Sequence, residues 1–128
     1  MIDHIGITVS NIETRQAFYS AALGALGYVL YKNSPRAVSF GVREGHGKSS
    51  DPGGEFWLSE GPPMTPRVHL AFNAAARADV DAFFADGLAA GGIENGAPGL
   101  RAHYHSHYYA AFVLDPDGYN IEAVCHAG

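Results

Sequence analysis

From Ile2 to Val9, apolar residues alternate with others: Ile5, Ile7 and Val9 fall on one face, His4, Gly6 and Thr8 on the other. A period of two marks a half-buried strand. Ser10-Asn11-Ile12-Glu13 follows, a capping-box pattern in which Ser10 accepts from the third helical amide and Glu13 reaches back. It predicts a helix with Ile12, Ala17, Phe18, Ala21 and Ala22 on its apolar side, stopped by Gly24 and Gly27. Gly27 to Lys32 and Ala37 to Arg43 are strand candidates on either side of Asn33-Ser34-Pro35. Glu44 to Gly54 is a polar, Gly-rich surface loop, with His46 among its exposed residues, and Glu55 to Ser59 is a fourth strand. Gly61 to Pro66 carries three prolines and cannot continue a ladder.

The pattern then restarts. Arg67 to Asn73 alternates, with Val68, Leu70 and Phe72 opposite His69 and Ala71, and a helix from about Ala76 to Ala90 ends at Gly91-Gly92. A constant offset of 65 aligns His4 with His69, Phe18 with Phe83, Tyr19 with Phe84, Leu23 with Leu88 and Gly27 with Gly92. An offset of 64 sets Asp51-Pro52-Gly53-Gly54 on Asp115-Pro116-Asp117-Gly118. Each half therefore reads strand, helix, three strands. The expected fold is α+β: two βαβββ modules forming a curved, barrel-like mixed sheet with the helices outside. Module one covers about 1–60, a linker about 61–66 and module two about 67–128, all in a single domain. A repeat this long that occurs only twice is no solenoid.

The last turn opens into a strand in which Asn120, Glu122 and Val124 share one face, and Tyr119, Ile121, Ala123 and Cys125 the other. A carboxylate among apolar neighbours needs a partner. His4, His69 and Glu122 each lie on the less apolar face of a strand whose other face is apolar. If the apolar faces pack under the helices, the other faces line a concave cup. Two imidazoles and a carboxylate there form a set suited to a divalent first-row metal with open coordination positions. The alternative for each histidine taken alone is a hydrogen-bonded structural residue. His103, His105 and His107 also alternate, so in a strand they would share a face. There they either line the cup as acid/base or anion-binding groups or form a solvent-exposed run. His126 reads as a surface residue, Tyr108 and Tyr109 as packing with one hydroxyl able to face the pocket, and Cys125 as a buried inert thiol.

Composition narrows the function classes. The 128 residues are 47% hydrophobic and 16% charged, enough for a core without staples. A net charge of -5 with scattered Lys and Arg argues against nucleic acid. One cysteine excludes an internal disulfide, and no run has the length of a membrane span, so a cytoplasmic setting is expected. CxxC, P-loop and GxGxxG patterns are absent, as is a Ser/His/Asp ordering.

Four pieces of the chain, Asp3 to Val9, Ala17-Phe18-Tyr19, Val68 to Phe72 and Asp115 to Glu122, resemble the vicinal oxygen chelate superfamily. This is the glyoxalase, bleomycin-resistance and extradiol dioxygenase group. The resemblance implies paired βαβββ modules, a frequent homodimer that sometimes completes its sites across chains, and a divalent metal held by His4, His69 and Glu122. The ion would be Zn, Fe(II), Mn or Ni. Glyoxalase I members use a fourth ligand from the last strand of module one, where the repeat sets Leu58 opposite Glu122. The resemblance therefore points away from glyoxalase I and toward the three-ligand dioxygenase and fosfomycin thiol-transferase pattern. The expected activity is metal-dependent chemistry on a small oxygen-rich substrate, with Glu122, His105 and His107 as catalytic candidates. The competing expectation is a metal-free sequestering protein that grips a small molecule with Trp57, Tyr108 and Phe112.

Overall fold

The computed structural model describes residues 2–45 and 48–128, so His46 lies outside the described residues. Module one runs β1 (Ile5–Val9), α1 (Ile12–Gly24), β2 (Tyr28–Ser34), β3 (Ala37–Val42) and β4 (Phe56–Glu60). Module two runs β5 (His69–Asn73), α2 (Arg77–Ala89), β6 (Ile93–Glu94), β7 (Gly99–Leu100), β8 (Tyr109–Leu114) and β9 (Asn120–Cys125). The strand order is β1-β4-β3-β2 in one sheet and β5-β9-β8-β6 in the other, with β7 also on β8. The architecture is α+β as expected, but the sheets stay separate and do not close into a barrel. In both modules the first and last strands pair in parallel, the result of a helical crossover returning the chain to the same sheet. Module two departs from module one in its first hairpin strand, which is split into the two-residue pieces β6 and β7.

The core is continuous across both modules. Tyr19 of α1 meets Phe56 of β4 at 5.3 Å between ring centroids, and Phe56 meets Phe72 of β5 at 5.3 Å. Phe18, Leu23, Val80, Phe83, Val113 and Ile121 are among the other buried residues of this core. This aromatic chain carries packing energy from one module to the other beyond the area it removes from water.

The repeated turns fold alike. Asp51 O accepts from Gly54 N at 3.1 Å and Asp115 O from Gly118 N at 2.9 Å, with φ of 90 and 91 at the two glycines. That left-handed conformation favours glycine. Beyond the turn the repeat slips by one residue. The buried pair Phe56 and Leu58 matches Ile121 and Ala123 at an offset of 65, and Gly6↔Trp57 matches Ala71↔Glu122. The expectation that Leu58 stands opposite Glu122 is therefore corrected: Leu58 is core, and the counterpart is Trp57. Module two carries one more residue between the turn glycine and its strand, which an ungapped offset cannot show.

The helix start also differs from the capping-box reading. Asn11 is the N-cap and accepts from Thr14 N at 3.1 Å. Ser10 instead donates to Asp117 Oδ1 at 2.6 Å, and Arg15 holds the same carboxylate through Nε at 3.0 Å and Nη2 at 3.1 Å. A carboxylate brought in by the second module outcompetes a local amide. Burial opposes charge on Asp117, but Arg15 and Ser10 win and hold its pKa down at about 2. A depressed carboxylate stabilises the fold above its unfolded pKa, here the usual 3.8, and loses that contribution as the pH falls toward 2. Urea unfolding at pH 4 and pH 2 should differ by about 2 kcal/mol from this group, and Asp117→Asn should remove that part of the difference.

Candidate functional site

The face of β9 that carries Glu122 lies between β5 and β8, with Ala71 and Phe112 directly beside the carboxylate. Glu122 is 2% exposed, so its charge needs partners. Oε2 has a donor and Oε1 a close polar neighbour. Oε1 is 3.0 Å from His69 Nε2, and Oε2 accepts a short hydrogen bond from the Tyr108 hydroxyl. Burial first, then this bond and the neighbouring charge, push the Tyr108 hydroxyl up to about 12, so it remains a donor across the ordinary pH range.

The ring of His69 is oriented from behind. Its Nδ1 is 2.8 Å from the carbonyl of Asn120. A carbonyl only accepts, so Nδ1 carries the proton, and in the neutral imidazole Nε2 is left with a lone pair facing Glu122. Phe112 stacks on the ring at 6.2 Å. A backbone carbonyl that fixes one imidazole nitrogen so that the other can ligate is the usual support of a metal-binding histidine. The His69 side chain is 46% exposed and the Glu122 side chain 3%, so the pair forms a wall with one accessible edge. This donor set fits a divalent first-row ion.

His4 stands elsewhere in the chain. It precedes β1 rather than lying within it, because pairing with β4 begins at Ile5. Its Nδ1 is 2.7 Å from Asp3 Oδ1 and 3.3 Å from Asp51 Oδ2, and these carboxylates, Asp3 foremost, raise its pKa. Among the described residues, Asp3, His4 and Asp51 are the one set of three with ligand atoms within 4.8 Å of one another. One chain thus brings His69 and Glu122 together and leaves His4 with different partners.

His105 and His107 do not share a strand face. Residues 102–107 form turns and β8 begins at Tyr109. Arg101 donates to the carbonyls of Gly99 and Ala97 at 2.8 Å each, and Tyr104 N returns to Arg101 O at 2.9 Å, so the chain folds back before the ladder starts. His105 Nε2 lies 2.8 Å from His126 Nδ1, while the ring of His103 packs on Tyr104 at 4.3 Å. His126 is exposed, as read from the sequence, but it is paired. Cys125 is free and buried. Trp57 Nε1 is buried without a hydrogen-bond partner. A cavity of about 250 Å³, lined by Asp3, Ile5, Tyr28, Phe56, Phe72 and Asn73 among others, opens where β1 and β4 begin and β5 ends, and neither His69 nor Glu122 lines it. Sequence reasoning allowed one hydroxyl of Tyr108 and Tyr109 to face the pocket without saying which, and missed the pairing of His126. Neither Tyr108 nor His126 has a local signal, since one sits just ahead of β8 and the other just past β9.

No protein of curated function matches the chain. A glyoxalase/bleomycin resistance protein from Albidiferax ferrireducens is 27% identical, with a TM-score of 0.77 and 98% of each chain covered. A glyoxalase/bleomycin resistance protein/dioxygenase family enzyme from Burkholderia phytofirmans shares the fold at 16% identity, a TM-score of 0.71 and 98% of each chain covered. So does a mutant of the fosfomycin resistance protein FosX from Listeria monocytogenes, complexed with Mn(II) and 1S,2S-dihydroxypropylphosphonic acid. It is 17% identical with a TM-score of 0.68, covering 97% of this chain and 88% of that one. The family model described as Glyoxalase/Bleomycin resistance protein/Dioxygenase superfamily matches residues 1–123, and with the paired modules and the His69–Glu122 face this chain belongs to that superfamily.

Proposed function

We propose that the protein is a divalent-metal-dependent enzyme of this superfamily that acts on a small oxygen-rich substrate, of the lyase, dioxygenase or thiol-transferase kind. The observation that carries the reading is His69: its Nδ1 is committed to Asn120 O, which leaves Nε2 to ligate beside Glu122. His4 is the third ligand, and because it stands apart from the pair within one chain, a homodimer that brings in the partner's copy completes the set. His69, Glu122 and the partner's His4 would hold the ion, which would supply Lewis-acid polarisation of a substrate oxygen. The chain's own residues orient Glu122 through Tyr108 and shape the cup with Phe112 and Trp57. His105 and His107, read from the sequence as catalytic, are left to a supporting role, since they lie on the turns before β8. The FosX relative, solved with Mn(II) and a diol phosphonate, supports an oxygen-rich ligand. With no helix among the described residues long and apolar enough to cross a membrane, a cytoplasmic setting is part of the same proposal.

Protein purified without chelator should carry close to one equivalent of Zn, Fe, Mn or Ni per chain by elemental analysis. A site that stays empty after incubation with each ion sinks the reading. One observation favours a second function, a metal-free binding protein: the Tyr108 hydroxyl satisfies Glu122 Oε2 without an ion. Thermal stabilisation by a ligand that survives chelator would select it, whereas stabilisation abolished by chelator selects the enzyme.

A further inference from the structure

His4 and His69 hold equivalent places in the two modules but are anchored by different means. His69 lies inside β5, and the carbonyl of its cross-strand neighbour Asn120 takes Nδ1 at 2.8 Å. His4 precedes the ladder, which begins at Ile5, so no strand partner anchors it. Two carboxylates do instead. Asp3 Oδ1 lies 2.7 Å from His4 Nδ1, and Asp51 Oδ2 lies 3.3 Å from the same nitrogen. Each carboxylate is tied down by its other oxygen. Ser49 Oγ donates to Asp3 Oδ2 at 2.9 Å, and Gly53 N donates to Asp51 Oδ1 at 2.8 Å. Ser49 Oγ also accepts from Asp51 N at 3.0 Å, which joins the two supports.

The tautomer of His4 follows. An ionised carboxylate only accepts, so Nδ1 carries the hydrogen and the neutral ring keeps its lone pair on Nε2. Among the described residues no hydrogen bond reaches that Nε2, and the side chain is 53% exposed. His69 arrives at the same state, Nδ1 committed and Nε2 offered, with a carbonyl in place of carboxylates. The two turns explain the difference. Asp115 gives its Oδ2 to the buried Tyr19 hydroxyl, whereas Asp51, at the equivalent place, turns its Oδ2 toward His4.

We infer that Asp3 and Asp51 are positioning residues: they fix the His4 ring with Nε2 free to ligate, as Asn120 O fixes His69. The role rests on the proposed function, in which His4 is the third ligand, while the anchoring itself does not. A carboxylate behind an imidazole orients the ring and strengthens it as a donor, and losing such a support costs about 10–100-fold in metal affinity. The rival use of the same cluster has Asp3, Asp51 and Nδ1 themselves ligating an ion, since their ligand atoms lie within 4.8 Å of one another. It requires Nδ1 to give up its hydrogen, so the position of that hydrogen separates the two.

The test uses the whole chain, first without metal. At pH 9, above the ordinary imidazole range, the ring-nitrogen NMR signals of His4 should show hydrogen on Nδ1 and none on Nε2. The Asp3→Ala/Asp51→Ala variant should lose that preference, and its Mn²⁺ affinity should fall on the order of 10- to 100-fold. Asp3→Asn/Asp51→Asn keeps a carbonyl acceptor for Nδ1–H without the charge and should recover most of the affinity. Equal losses in the alanine and asparagine variants would reduce the carboxylates to general attraction for a cation and overturn the positioning role. Wild-type His4 with its hydrogen on Nε2, or Zn²⁺ that binds at Nδ1 in place of Nε2, overturns it as well. A wild-type protein that takes up no ion yet shows the Nδ1–H form, lost in the alanine variant, overturns the proposed function and leaves the anchoring of His4 standing.

Discussion

Asp115→Ala should cost about 3–5 kcal/mol in urea unfolding, the largest stability effect expected from any single polar side chain here. The carboxylate is 1% exposed and serves three donors. Oδ2 accepts from the buried Tyr19 hydroxyl at 2.5 Å, and Oδ1 from the amides of Asp117 at 2.8 Å and Tyr119 at 2.9 Å. Burial raises the Asp115 pKa and Tyr19, with the two amides, pulls it back, so the charge is costly and retained for its bonds. Alanine strands the Tyr19 hydroxyl in the core and frees the turn that aims β9. Asp115→Asn keeps an oxygen for the two amides and should cost much less, on the order of 1 kcal/mol. The repeat supplies the control, because Asp51 holds one amide, Gly53 N at 2.8 Å, and is only partly buried. Asp51→Ala should be mild. An Asp115→Ala protein within about 1 kcal/mol of wild type would show that the turn is set by Pro116 and Gly118 alone.

What the sequence made legible was whatever repeats or alternates. The offset of His4 on His69 and of one Asp-Pro turn on the other predicted two equivalent modules, and the parallel pairs β1/β4 and β5/β9 realise them. Alternation placed Glu122 on the face opposite Ile121 and Ala123, and the burial of those two agrees. Long-range choices were not legible. Ser10 has an ordinary capping sequence, yet Asp117, 107 residues away, takes its hydroxyl. Alternating histidines at 103, 105 and 107 have the period of a strand, but Arg101 ties its guanidinium to carbonyls behind it and the chain turns before pairing begins. The one-residue slip that makes Trp57 the counterpart of Glu122 arises between a turn and its strand, where a residue can be added without altering either flanking pattern. Tyr108 reaches Glu122 only because β8 pairs with β9 in a register that no local segment encodes.

If the proposed site is right, Glu122→Gln and His69→Ala should each weaken Mn²⁺ or Zn²⁺ binding on the order of 100-fold or more, because each removes a proposed ligand rather than a supporting group. His4→Ala should match that loss even though His4 pairs with Asp3 and Asp51 in its own chain. A shared site makes a further, opposite prediction. In a two-fold dimer whose sites take His4 from one chain and His69 with Glu122 from the other, each single variant is inactive. When His4→Ala and His69→Ala chains are unfolded, mixed and refolded together, half of the dimers combine one of each. One site of such a dimer lacks both histidines and the other is intact, so about a quarter of wild-type metal occupancy should return. Sites built within single chains would return nothing, since every chain lacks a ligand. Elemental analysis of the refolded mixture, beside sedimentation of each variant, separates the cases. Variants that sediment as dimers but regain no metal on mixing remove His4 from the shared set, and variants that sediment as monomers remove the partner altogether.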